Sequence, residues 1–253
     1  QMRFTLSNGV VVLRCRVDQD VAEVSSSAQS KVFTRASDVV ADVRDGSTVM
    51  IGGFGESGVP TALIDALLTQ GASQLTVIAN NTGSGDDGLA ALIRASRVRR
   101  VVCSYPRSRG SVWFERRFNE GTIELEVMAQ GTLSEAIRAG GAGIPAFYTP
   151  TGVGTALAPD KEVRVFDGRE HLLEHALVAD VALIKARAAD PWGNLVYHTT
   201  ARNYGPIMAM AATTTIAEVD EVVGRGQLNP EHVVTPGILV DRIFCPDAAK
   251  ARA

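Results

Sequence analysis

Cysteine is scarce. Cys15, Cys103 and Cys245 are the only three in 253 residues, an odd number, far apart, with no C-x-x-C pair. Such spacing argues against a disulfide framework or a zinc knuckle and suits a reducing compartment. Long apolar runs are missing as well: none approaches the roughly 18 residues of a membrane span. The short run Val10–Leu13 is closed off by Arg14, Arg16, Asp18 and Asp20 before a signal-peptide core can form. Charge of one sign is also lacking. With a net charge of −3 and a pI near 5.9, no global field draws the chain to nucleic acid or anionic membrane. No internal repeat or low-complexity tract interrupts it. A soluble, cytoplasmic protein is expected.

What is present is an ordinary globular composition, 45% hydrophobic with 24 glycines for turns. At this length one large α/β domain fits. Residues 1–30, ending in Ser25-Ser26-Ser27-Ala28-Gln29-Ser30, read as a disordered extension, and residues 31–253 as a single domain.

From Thr34 the pattern alternates between helix-like and strand-like segments, the sign of βα units wound around a largely parallel sheet. Helices are expected at Ser37–Val43, Ala62–Leu68 and Leu89–Ile93, with Pro60 at the first helical position of the second. Strands are expected at Val49–Ile51, Leu75–Ile78, Val101–Val102 and Ile123–Val127. Thr132-Leu133-Ser134-Glu135 has the spacing of a capping box, opening a helix that ends near Gly140-Gly141. The back half is richer in strands: Val163–Val165, Val181–Ile184, Leu195–Tyr197, Thr215–Val223 and Ile238–Val240.

Chemistry concentrates in Asp45–Pro60, where Gly53-Phe54-Gly55-Glu56-Ser57-Gly58 forms a G-x-G-x-x-G directly after an apolar strand. A dinucleotide site also needs an acid at the end of the second strand, about twenty residues on, to hold the ribose. Here that strand runs into Ala79-Asn80-Asn81-Thr82-Gly83, and two carboxamides stand in place of the carboxylate. An isolated match of this kind is ordinarily a structural turn. Its company changes the balance. Exposed N–H groups beside the Asn80 and Asn81 side chains, at the carboxyl edge of a sheet, are suited to negative charge on an oxygen.

These residues carry a resemblance. Asp45-Gly46, Gly52-Gly53-Phe54, Gly58 and Pro60 are similar to the signature of family I CoA-transferases, in their A subunit. The likeness continues through Ala79–Gly83, Gln130–Leu133, Gly140–Tyr148, Pro150–Thr155, Ala182–Ala186, Gly193–Leu195, Ala201–Tyr204 and Pro236–Ile238, covering about residues 34 to 244. Within the family, Val101–Arg107 and Gly205–Ala212 most resemble 3-oxoadipate CoA-transferases.

The resemblance implies an α/β fold of the CoA-transferase/NagB-like kind, with helices on both faces of a largely parallel sheet and a strand-richer C-terminal half. It implies transfer of CoA from succinyl-CoA to a 3-oxoacid, 3-oxoadipate or alternatively acetoacetate, with the CoA thioester as substrate and no permanently bound cofactor. A glutamate carboxylate attacks the thioester to give an acyl-glutamyl anhydride. The freed thiolate then makes a glutamyl-CoA thioester, which the acceptor acid discharges. In the family that glutamate lies in an S-E-N-G-like motif of the B half. This chain has no S-E-N-G, and Glu56 is not at the nucleophile's position. The implied arrangement is a shared site with a B subunit, in an α2β2 assembly. Asn80 would be the oxyanion donor. Gln130, with Asn81, would reach the acyl group or substrate carboxylate. The loop Gly52, Gly53, Phe54, Gly55, Glu56, Ser57 and Gly58 would lie against the pantetheine end of CoA.

Other constellations have plainer readings. His171-Leu172-Leu173-Glu174-His175 has zinc-peptidase spacing but runs straight into the strand at Val181, so no metal is expected. Arg94, Arg97, Arg99, Arg100, Arg107, Arg109, Arg116 and Arg117 read as solvated surface or a subunit interface. Of these, Arg107 is the candidate fork for the distal carboxylate of a dicarboxylic substrate. Cys103 reads as a small buried hydrophobe, and the Gly140–Gly143 run as a packed turn. The rivals to a transferase are a non-catalytic α/β protein binding a phosphate ligand and a dinucleotide oxidoreductase.

Overall fold

Apolar β-branched runs set the strands, and apolar residues three and four apart set the helices. The computed structural model describes residues 2–7, 10–15, 30–107 and 109–247, with side chains placed for 30–107 and 109–247. Strands β1 (Met2–Ser7) and β2 (Val10–Cys15) pair as an antiparallel hairpin that forms a sheet of its own. Apart from Ser30, the rest of the expected extension lies outside the described residues.

Then follow β3 (Val32–Phe33), α1 (Ala36–Val39), β4 (Thr48–Ile51), α2 (Thr61–Gln70), β5 (Leu75–Ile78), α3 (Gly88–Arg94), β6 (Val98–Cys103), α4 (Val112–Asn119), β7 (Glu124–Val127) and α5 (Gln130–Gly141). The back half comprises β8 (Ala146–Thr149), β9 (Val163–Phe166), β10 (Arg169–His175), β11 (Ala179–Ala189), β12 (Leu195–Val196), α6 (Gly205–Ala211), β13 (Ala212–Val222) and β14 (Arg242–Phe244).

The main sheet runs β3-β14-β13-β11-β4-β5-β6-β7, all parallel, with β12 added antiparallel to β11. Strands β8, β10 and β9 make a separate antiparallel sheet. Alternation along each strand feeds two cores. Val49, Ile51, Val77, Val101 and Leu183 pack against α1–α4, while Met50, Ile78, Val102, Ala182 and Ile184 pack against α5 and α6. This is the expected largely parallel α/β sheet with helices on both faces. Each fully buried Leu or Ile contributes roughly 1.5–3 kcal/mol, so truncating Leu63 or Ile137, both at 0% exposure, would open either layer.

Local expectations fare unevenly. The second core closes where α5 meets α6; the expected helix end at Gly140-Gly141 is there, tightly packed, and of the expected Gly140–Gly143 turn only Ala142-Gly143 is a turn. A Cβ on Gly141 would stand 2.5 Å from Met210 Cβ, and one on Gly140 2.1 Å from the Leu177 carbonyl oxygen. The capping box is absent: α5 starts at Gln130, no side chain caps it, and Glu135 instead pairs with Arg138 one turn on. Only Met128 and Ala129 separate β7 from α5, so Thr132 already lies inside the first turn of the helix. Pro60 is the residue before α2 rather than its first. Ile238–Val240 is not a strand. A 3-10 turn occupies Gly237–Leu239, with Gly237 pressed on the Trp192 carbonyl, and the strand comes later as β14.

Candidate active site

Strands β4, β5, β6 and β7 all end on one edge of the sheet, and four loops emerge there together. After β4 the chain continues to β5 on one side, while β11 lies on the other. The glycine loop therefore leaves β4 at the point where strand order reverses, the place where open α/β sheets bind ligands.

The loop itself is tightly held. Phe54 and Ser57 exchange backbone hydrogen bonds at 3.0 and 3.1 Å across Gly55-Glu56, so Phe54 stands half exposed at the tip. Asn203 clamps both arms. Its Oδ1 accepts from Gly53 N–H at 3.2 Å, and its Nδ2 donates to Ser57 O at 2.9 Å. Gly58 passes so close to this clamp that a Cβ would lie 2.4 Å from Ala201 O, at a φ of +76°. Glu56 is exposed and its carboxylate accepts from Ser84 Oγ at 2.7 Å. The N–H groups of Gly52, Gly53, Phe54 and Ser57 are all engaged within the protein. The expected cradle of free backbone donors is thus largely used up in holding the loop's shape, which leaves side chains to face a ligand's charge.

The side chain best placed to do so is Asn80, two residues past the end of β5 and only 5% exposed. Three groups converge on its Oδ1: Ser104 Oγ at 3.0 Å, Gln130 Nε2 at 3.2 Å and Tyr204 OH at 3.4 Å. They come from the residue after β6, the first residue of α5 and the residue before α6, so four segments meet at one carboxamide. The Asn80 carbonyl is fixed too, accepting from Ser104 N–H at 3.2 Å and Tyr105 N–H at 3.0 Å. Burial pushes the Tyr204 phenol above its ordinary value, and hydrogen bonds with Ser104 and Gln130 draw it partly back. It stays neutral and able to donate.

Three clefts border the glycine loop, and the first two reach Asn80. One of about 180 Å³ is lined by Gly52, Gly53, Gly55, Glu56, Asn80 and Asn81 among others. A second, about 370 Å³, lies between Phe54, Tyr105, Asn80, Asn81, Ser104 and Gln130. The third, about 590 Å³, borders Phe54, Ser57, Thr199, Arg202 and Asn203. Asn80 and Asn81 stand on the wall common to the first two. Asn81 is also the turn former its type suggests, since its Oδ1 accepts Gly83 N–H at 3.0 Å. Gln130, at the first position of α5, is exposed and borders the second cleft. Arg107 does not join them: it is exposed, two residues beyond Tyr105, and lines none of these clefts. Ser104, Asn203 and Tyr204 are site residues to which the sequence alone assigns no role. Their partners lie 24, 150 and 124 residues away, and no local pattern signals such contacts.

Competing readings lose ground on geometry. In a dinucleotide site the pyrophosphate sits on the first helix N-terminus. Here Glu218 occupies that end, its buried Oε2 accepting Leu63 N–H at 3.1 Å while Oε1 accepts from Lys185 Nζ at 3.0 Å. The H-x-x-E-H stretch is strand β10, so its imidazoles are not one helical turn apart, and Glu174 pairs with Lys161 at 2.6 Å. Among the arginines, 94, 99, 100, 116 and 117 pair with nearby carboxylates, and Arg97 donates to Gly71 O. Cys103 is fully buried, with its thiol pushed up to about 12, and packs as an inert hydrophobe. No helix among the described residues is long and apolar enough to cross a membrane.

The chain is similar to known proteins over most of its length. The family model described as Coenzyme A transferase matches residues 33–245. The chain is 54% identical over 222 residues to the A subunit of the 3-oxoadipate CoA-transferase of Pseudomonas putida, covering 88% of this chain and 96% of that protein. It is 46% identical to the A subunit of a probable succinyl-CoA:3-ketoacid coenzyme A transferase of Bacillus subtilis, over 84% of this chain and 89% of that one. Among solved structures, the glutaconate coenzyme A-transferase of Acidaminococcus fermentans superposes with a TM-score of 0.76 at 24% identity, over 85% of this chain and 75% of that one. An Escherichia coli acyl-CoA transferase gives the same TM-score at 23% identity, this chain spanning 47% of its length. At such identities the structural likeness speaks for the fold alone.

Proposed function

Because this chain belongs to the coenzyme A transferase family, we propose that it is the A subunit of a heteromeric CoA-transferase that moves CoA from succinyl-CoA to 3-oxoadipate. The nucleophile is a glutamate of a separate B subunit, and the two chains assemble as α2β2. Each step of the exchange passes a tetrahedral intermediate whose oxyanion needs donors already in place. The carrying observation is the Asn80 carboxamide: buried, its oxygen engaged by three donors, on the wall shared by two clefts. The amide's Nδ2 is the oxyanion donor. Gln130, Asn81 and the Gly52–Gly58 loop contact the acyl group and the pantetheine arm, and Arg107 is the side chain proposed for the acceptor's distal carboxylate.

The 54% identity to a 3-oxoadipate CoA-transferase chain favours the dicarboxylic acceptor. A second reading, acetoacetate or another short 3-oxoacid, is supported by relatives named for 3-ketoacids at 50% identity and below. Competitive rates with the two acids separate these.

The chain alone should transfer no CoA, and adding the B subunit should restore turnover with succinyl-CoA. Asn80→Ala in the assembled enzyme should lower kcat by roughly 10²–10³. An unchanged kcat in that variant removes Asn80 from the chemistry, and robust transfer by the lone chain ends the shared-site proposal.

A further inference from the structure

An asparagine is useful as an oxyanion donor only while its NH2, and not its oxygen, faces the reacting atoms. The two ends of a carboxamide are nearly the same size, so packing alone does not choose between them; hydrogen-bond partners do. At Asn80 the structure sets the oxygen toward a group of donors. Gln130 presents its Nε2, a donor, 3.2 Å from that oxygen. Ser104 Oγ, at 3.0 Å from Oδ1 and 3.1 Å from the Asn80 carbonyl, spans the side chain and its own backbone. Tyr204 closes the set from behind at 3.4 Å, its ring 5% exposed in the second core.

Resting on the reading of Asn80 as oxyanion donor, we propose that Ser104 and Tyr204 are positioning residues that fix the Asn80 amide with its NH2 toward the cleft. Neither needs to touch substrate. Ser104 is carried on the end of β6, where Ser104 N–H binds the Asn80 carbonyl, so the hydroxyl is delivered by strand register. Tyr204 is anchored through its own N–H, which donates to Asn203 Oδ1 at 2.7 Å. The dipeptide Asn203-Tyr204 therefore grips both halves of the site, one residue holding the glycine loop and the next the Asn80 amide. Removing either hydroxyl leaves Oδ1 with fewer donors and lets the amide sample the flipped orientation, in which its oxygen would repel an oxyanion.

The test is a double-mutant cycle in the enzyme reconstituted with its B subunit. Ser104→Ala and Tyr204→Phe are made in the native chain and in Asn80→Ala, with kcat, KM and melting temperature recorded for each. In the native background each should lower kcat by roughly tenfold, with KM held within about twofold and melting unchanged. In the Asn80→Ala background the same substitutions should have less than about a twofold effect, because the group they position is gone. An equal fold-loss in both backgrounds, or no loss in the native one, overturns the positioning role while leaving Asn80 itself intact. If Asn80→Ala alone leaves kcat unchanged, the oxyanion reading fails first, and the inference with it.

Discussion

Gly53 N–H donates to Asn203 Oδ1 at 3.2 Å, joining the first turn of the glycine loop to a residue 150 positions further on. All of the Asn203 carboxamide is committed: Oδ1 also accepts Tyr204 N–H at 2.7 Å, and Nδ2 donates to Ser57 O and Thr200 O at 2.9 and 3.1 Å. A glycine-rich loop has many backbone conformations to lose. One side chain with four bonds is what selects among them here, so loop shape depends on a residue outside the loop.

Asn203→Ala is accordingly expected to cost roughly 1–3 kcal/mol of unfolding free energy, the range for leaving partly buried partners unsatisfied. It should also lower kcat/KM in the assembled enzyme. Asn203→Asp keeps the acceptor but sets oxygen against oxygen at Ser57 and Thr200, and should do no better than alanine. Urea denaturation with parallel steady-state kinetics checks both. Wild-type kinetics in Asn203→Ala would mean that the glycine loop holds itself.

What can be read from the chain without its fold depends on whether a signal is local. Strand β5 is legible to its bounds because Leu75–Ile78 is an apolar run between Gln74 and the Ala79-Asn80 break. Asn80 and Asn81 stand out as candidates because carboxamides just after a strand mark the ligand-binding edge of a parallel sheet, whereas Gln130 is reached only through the family resemblance. Helix α6 is not: Gly205-Pro206 look like a break, and the helix passes into β13 at Ala211-Ala212 with no turn residue between. Arg107 is exposed and outside the clefts, and its adjacency to Tyr105 in the chain carries no information on its reach. Ser104, Asn203 and Tyr204 act only through long-range contacts, and those follow from the strand order.

Glu218 gives a second test, this time of how α2 and its preceding loop are seated. Its carboxylate is 4% exposed and bridges Leu63 N–H of α2 to Lys185 of β11, which Asp220 also meets at 2.8 Å. Burial works against the Lys185 ammonium, but Asp220 and Glu218 outweigh it and hold its pKa above the ordinary lysine value. Glu218→Ala leaves the Lys185 ammonium to Asp220 alone and strips Leu63 N–H of its acceptor, and should cost about 1–3 kcal/mol. Glu218→Gln keeps an acceptor for Leu63 and should cost less. Denaturant midpoints rank the two, and equal losses would mean that the charge, not the cap, is what matters.

The third prediction concerns alkaline pH. Burial pushes the Tyr197 phenol up to about 12, its hydrogen bond with Thr235 Oγ1 at 2.7 Å only partly opposing this, and burial likewise lifts the Cys103 thiol to about 12. In the unfolded chain these groups ionise near about 10 and 8.5. Between the unfolded and folded values the unfolded state binds fewer protons than the native state, so stability falls as pH rises. It should be level with respect to these groups below about pH 8.5, decline gently as Cys103 enters, and decline more steeply above about pH 10 as Tyr197 joins. Two units on Tyr197 correspond to about 3 kcal/mol at most. Cys103→Ala should flatten the lower part of the profile and Tyr197→Phe the upper part, in denaturant midpoints taken across the range. A profile that Tyr197→Phe leaves unaltered would mean that water reaches this phenol in the native state.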